Sequence, residues 1–200
     1  MQRLLIWLAA ALSLASAVPT IVPDEQTPLA LVTTTVYPSL MKYIDSSNPS
    51  YVAPNTIQFP NSLFLTYYSP NPSPSYRLDS LISFTGIPKS AKQCALRWAF
   101  PPGWQIYTVG VSLLNIYSVD RQAKDGDSWN NAPKEVSLWG TTRLSSGSSG
   151  YVNSAVCDKS MTFRIEISRD SGGMGEVTFA QSNGPSHWGQ PPAGWYLTYE

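Results

Sequence analysis

Charge is the scarcest commodity in this chain of 200 residues. Asp, Glu, Lys and Arg make up 13% of it, thirteen acidic against thirteen basic, for a formal net charge of zero. An average soluble domain carries about 25%. So few cations leave no electrostatic footprint for a nucleic acid and no polybasic stretch for a membrane surface, and no nucleic-acid partner is expected. Two cysteines and one histidine exclude zinc fingers, iron–sulfur ligation and a histidine-rich metal centre built within one chain. Asn48-Pro49-Ser50 and Asn71-Pro72-Ser73 are blocked by proline as glycosylation acceptors, so N-glycosylation is not expected. Long hydrophobic runs are missing too. The apolar stretch Leu4 to Leu14 falls short of the ~20 residues of a membrane span, and Gly194 to Glu200 lacks the tail of a lipid-anchor signal, so no membrane anchor is expected.

That amino-terminal stretch has another reading. Arg3, the apolar run and the small-residue site Ala15-Ser16-Ala17 form a secretory signal peptide over residues 1–17. Residues 18–28 read as an extended lead-in, and residues 29–200 as one folded domain that is secreted, extracellular or at a cell wall. In an oxidising compartment Cys94 and Cys157 are most simply a disulfide. Closing so long a loop stabilises the fold by about 4 kcal/mol in the chain-entropy model. The sequence leaves open whether the bridge ties neighbouring strands or two sheets.

Period-two alternation dominates what remains. Cys94, Leu96, Trp98 and Phe100 share a face, and Met161, Phe163, Ile165 and Ile167 oppose Thr162, Arg164, Glu166 and Ser168. Further strands are expected over Leu29–Val36, Thr56–Tyr68 with a break at Pro60, Arg77–Phe84, Ile106–Val119 with a bulge or bend near Leu113, Tyr151–Cys157, Glu176–Gln181 and Trp195–Tyr199. Seventeen prolines and thirteen glycines punctuate these short strands. Outside the leader no window carries a helical apolar stripe. The fold class is therefore all-β: a two-sheet antiparallel β-sandwich, jelly-roll-like.

Chemistry is hard to assemble from these residues. His187 sits in a Gly/Pro-rich loop, and no Gly-x-Ser-x-Gly elbow accompanies it. A glycosidase needs two acids about 5–10 Å apart. Glu166 is a candidate, but it points away from the apolar face beside Arg164, where an Arg/Glu pair is the ordinary solvent side of a sheet. No catalytic residue is assigned and the chain is not expected to be an enzyme. Asp125, Asp127 and Asn130 offer oxygen ligands of the kind calcium uses, yet Lys124 occupies a ligand place and the terminal Glu of a calcium loop is missing. No cofactor and no metal site is assigned. Trp98 and Trp195 align with core residues, whereas Trp104, Trp129 and Trp188 lie in turn-rich surroundings. Loop rings suit either a carbohydrate-binding patch or caps on the open ends of a sandwich.

Cys94-Ala95-Leu96-Arg97-Trp98-Ala99-Phe100-Pro101, Ser128-Trp129-Asn130-Asn131-Ala132-Pro133, Cys157 and Pro192-Ala193-Gly194-Trp195-Tyr196-Leu197 follow one another in an order that resembles the fungal "But-two" (But2) C-terminal domain family, best over residues 76–200. The resemblance implies a secreted fungal β-sandwich. The family name, taken from a ubiquitin-activator-three-binding protein, implies a partner that an exported chain does not meet, and that partner is not carried over. The Ser-Trp-Asn-Asn-x-Pro piece also resembles a turn of jelly-roll modules in which the ring packs and the amide braces nearby backbone. The expected function is a non-catalytic interaction or structural domain whose partner is an extracellular protein or a wall polysaccharide. A carbohydrate-binding module is the alternative, and a glycoside hydrolase-like enzyme the third.

Overall fold

Alternating apolar residues become strands whose inner faces meet, and two antiparallel sheets form a jelly-roll-like sandwich. The computed structural model describes residues 33–58, 62–71, 75–170, 172–183 and 192–200. Of its two units, Met1–Ala30 and Leu31–Glu200, the first, with the leader and lead-in, lies outside the described residues. A small sheet has the order β1 (Thr34–Val36), β12 (Gly194–Tyr199), β5 (Gln93–Ala99) and β9 (Ser149–Val156). A large sheet runs β6 (Ile106–Gly110), β11 (Gly175–Gln181), β3 (Ser62–Ser69), β4 (Tyr76–Thr85), β10 (Ser160–Ile167), β7 (Leu114–Val119) and β8 (Glu135–Thr142). β2 (Leu40–Asp45) pairs with β4 beside this path.

Between the sheets lies one apolar core. The small sheet supplies Cys94, Leu96, Trp98, Trp195 and Leu197, and the large sheet supplies Phe64, Ile82, Phe84, Ile116, Phe163, Ile165 and Phe179. Each such side chain contributes about 1.5–3 kcal/mol on leaving water. Trp98 stands opposite both Trp195 and Gly150. A Cβ on Gly150 would meet the Trp98 indole at 2.4 Å, so this strand position admits only glycine without displacing the ring. Cys94 and Cys157 are bridged, with Cα atoms 5.0 Å apart. Cys94 faces Ala155 on β9, two residues before Cys157, so the bridge joins neighbouring strands of the small sheet rather than the two sheets.

Three sequence expectations need revision. The span Ile106–Val119 is two strands rather than one bulged strand: β6 pairs with β11 and β7 with β10 and β8, the chain changing neighbours at residues 111–113. β2 and β8 fall where no strand was expected. β2 lacks alternation because both its faces are covered: Met41 enters the main core, while Leu40 and Ile44 join a second cluster with Leu81 and Ala123. That cluster overturns the third expectation. The outer side of β10 is not a solvent face, since Glu166 is 1% exposed and the Arg164 side chain 12%. A loop lies over it.

Candidate functional site

The covering loop is the β7–β8 connection, residues 120–134. Its neck is closed by two hydrogen bonds: the Asp120 amide donates to the Lys134 carbonyl at 3.0 Å, and the Lys134 amide to Asp120 Oδ1 at 2.9 Å. Such closed loops pack on their own side chains. Buried Asp127 is the internal brace, accepting from Arg121 Nη1 at 3.0 Å, Arg121 Nη2 at 2.9 Å and the Lys124 amide at 2.8 Å. Asn131 Oδ1 accepts from the Ser128 amide at 2.6 Å and the Ser128 hydroxyl at 3.1 Å. Hydrogen bonds to β2, β10 and residues 49–50 dock the loop. The Ala123 amide donates to Thr162 Oγ1 at 3.3 Å, the Asn130 amide to the Pro49 carbonyl at 3.0 Å, and the buried Lys42 ammonium to the Asp125 carbonyl at 2.5 Å. Burial pushes the Lys42 pKa below its ordinary value, and Asp127 and Asp125 offset part of that loss.

Beneath Trp129 lies a cluster of six charges drawn from β4, β8, β10 and the residues just after β10. Arg77 and Arg164 sit under the indole, their guanidinium carbons 5.1 and 4.9 Å from its ring centre. Asp79 accepts from Arg77 and from Arg164, each at 2.6 Å. Glu166 accepts from Arg77, from Arg169 at 3.3 Å and from the Tyr117 hydroxyl at 3.3 Å. Glu135, less buried, lies 3.3 Å from Arg164 Nε. Burial raises the Glu166 pKa above its ordinary value, and the charges of Arg77 and Arg169 counter this only in part.

What can this arrangement do? Ligand atoms of Asp79, Glu135 and Glu166 lie within 4.8 Å of one another, a separation that suits a cation. Their chemistry does not: three guanidinium groups are interleaved with the three carboxylates, and a dication would have to displace them. Asp79 and Glu166 are buried, and Trp129 covers two of the arginines that hold them, whereas Glu135 stands exposed at the margin of the cluster. Open depressions of about 340, 140, 420 and 300 Å³ elsewhere on the surface are lined by none of the three. The cluster neutralises itself. Its work is to let a sheet face bearing charge be buried.

The residues singled out by sequence are scattered. Trp129 and Asp127 belong to the loop and its cluster. Asp125 contributes its backbone carbonyl to Lys42 while its side chain is exposed, and Asn130 donates from Nδ2 to Ser50 Oγ at 3.2 Å. The oxygens of Asp127 are filled by nitrogen donors rather than converging with Asp125 and Asn130. Trp104 packs at the margin of the main core and donates from Nε1 to the Ala180 carbonyl at 3.0 Å; it is not beside Trp129, which packs on the second cluster. His187 and Trp188 lie outside the described residues. Sequence reasoning passed over Lys42, Arg77, Asp79 and Glu135. A signal existed for one of them: Lys42 stands within the mostly apolar run Leu40–Ile44, and a charge there needs a partner.

Residues 47–185 match the model described as "Ubiquitin 3 binding protein But2 C-terminal domain", and the chain belongs to that family. The But2 domain is a non-catalytic module. The matched span takes in both cysteines, the covering loop and all six charges beneath it, and leaves β1, β2 and β12 outside. No curated protein matches the chain.

Proposed function

We propose that this But2-family domain is an exported, non-catalytic interaction domain that works at a fungal cell wall or in the surrounding medium. Its partner is an extracellular protein or a wall polysaccharide. The observation that carries the reading is the Cys94–Cys157 bridge, which joins β5 to the residue just after β9 with Cα atoms 5.0 Å apart. Disulfides persist in oxidising compartments and are rare in the cytosol. The signal-peptide pattern of residues 1–17 supports the same address. The matching family's printed name speaks of ubiquitin 3 binding; an exported domain meets no cytosolic partner, and that binding is not assigned to this chain. The reading as a non-catalytic domain rests on membership of the But2 family.

The test is expression of the full chain in a filamentous fungus, followed by fractionation and intact-mass measurement. The expected product begins at Val18, lies in the medium or wall fraction and contains no free thiol. A full-length chain inside the cells with both thiols free contradicts the proposal.

A further inference from the structure

The small sheet has a second face, turned away from the core. Because Cys94, Leu96, Trp98, Trp195 and Leu197 point inward, their neighbours on the same strands point outward. Cross-strand pairing then orders the outward side chains in two rows. In one, Tyr196 stands opposite Arg97 and Arg97 opposite Tyr151. In the other, Thr35 stands opposite Thr198, Thr198 opposite Ala95, and Ala95 opposite Ser154. Rings and a guanidinium thus run beside a row of hydroxyls, two residues or about 7 Å further along the strands.

This face is open to ligand. Tyr151 is 51% exposed and its ring lies 5.3 Å from the Arg97 guanidinium carbon. Arg97 spends Nε on Thr198 Oγ1 at 3.2 Å. Among the described residues no carboxylate pairs with it, whereas Arg77, Arg121, Arg164 and Arg169 all have one. Two depressions border the rows. One of about 340 Å³ is lined by Thr35, Tyr37 and Tyr196, and one of about 140 Å³ by Arg97, Tyr151, Ser154 and Thr198. From Gly194 to Glu200 the strand that passes through both extends roughly 20 Å at ~3.4 Å per residue, room for several sugar rings in line.

Resting on the extracellular binding role above, we propose that this face binds a polysaccharide strand, its sugar rings stacked on Tyr151 and Tyr196 and its hydroxyls or carboxylates met by Arg97, Thr198 and Ser154. A pyranose has a flat apolar C–H face and a hydroxyl edge, and the two rows match that pair of surfaces. Aromatic rings supply apolar planes with a polar tip, and a guanidinium fork meets either a vicinal pair of hydroxyls or a uronate carboxylate. A protein partner would call for a cluster of large apolar anchors; among the described residues this sheet exposes one large aliphatic side chain, Val156 at the end of β9, while Val136 and Leu138 lie on β8 of the other sheet.

The test is co-sedimentation of the full chain with insoluble glucan and with chitin, and gel retardation in polygalacturonate. Binding to at least one is expected. Tyr151→Ala and Arg97→Gln should each weaken it about tenfold, the scale of one lost ring or fork contact, with unchanged melting temperature. Leu138→Ser, at the edge of the large sheet, should bind as the parent does. Preference for polygalacturonate assigns Arg97 to a carboxylate, and preference for a neutral polymer assigns it to hydroxyls; both support the proposal. Binding to none of the three polymers, or equal binding by parent and both variants, overturns it. Export to the wall without polysaccharide binding overturns this assignment and leaves the extracellular role intact. Binding by a chain retained inside cells does the reverse.

Discussion

Glu166 shows how one side chain changes meaning when its surroundings are known. Its alternation with Ile165 and Ile167 places it on the opposite face of the strand, and that placement is correct. Sequence periodicity cannot report what lies above the face. Here Trp129 lies above it, and the carboxylate loses water in exchange for Arg77, Arg169 and Tyr117. Its pKa is raised, so between the ordinary value of 4.5 and the raised one the folded chain binds more protons than the unfolded chain. Stability from this residue is therefore greatest below pH 4.5 and falls as pH rises through that window. Denaturant titrations of the parent and of Glu166→Gln across acid to neutral pH should show the parent losing ground to the variant as pH rises. A difference that grows in the parent's favour instead would mean that the arginines, not burial, dominate.

At the scale of elements, strands with one apolar and one polar face were legible, whereas β2, covered on both faces, and β8, largely exposed, were not. β10 and β5 announce themselves because one face is apolar and the other polar. β2, with the sequence Leu-Met-Lys-Tyr-Ile-Asp, hides because Leu40 and Ile44 pack under the loop while Met41 packs in the main core. The loop itself was legible as a turn-rich polar segment, but its destination was not: contacts such as Lys42 with Asp125 join residues 83 apart in sequence, and no local pattern specifies them. Asp127 holds this element in shape. Asp127→Ala removes the acceptor for both Arg121 nitrogens and the Lys124 amide, and should lower stability by about 1–3 kcal/mol. The check is a urea unfolding curve, with Asp125→Ala, which deletes an exposed side chain, expected to stay within about 0.5 kcal/mol of the parent.

For the whole molecule, the two sheets divide the work. The large sheet is buried on its inner face by the core and over part of its outer face by the loop, so its charges are architecture. The small sheet is pinned along one edge by the disulfide, and its outer face is half-exposed, with Tyr151 the most open of the row. The fold class and the bridge could be read from alternation, turn residues and two cysteines. The candidate binding face could not, because its members come from four strands spread from Thr35 to Thr198, and only the pairing register brings Tyr196, Arg97 and Tyr151 into a row. Sequence drew attention to tryptophans; the register draws it to tyrosines.

Closure of the loop over Arg77, Asp79, Arg164 and Glu166 is what makes these charges structural. Amide hydrogen exchange across residues 123–131 tests this most directly, comparing the parent with Trp129→Ala. In the parent, the amides of Ala123, Asp127, Ser128 and Asn130, each hydrogen-bonded, should exchange at least about a hundredfold more slowly than unstructured peptide. Trp129→Ala should accelerate all four together. Exchange in the parent at unstructured rates would contradict this, because Arg77, Asp79, Arg164 and Glu166 would then face solvent and an open, reactive site would again be in play.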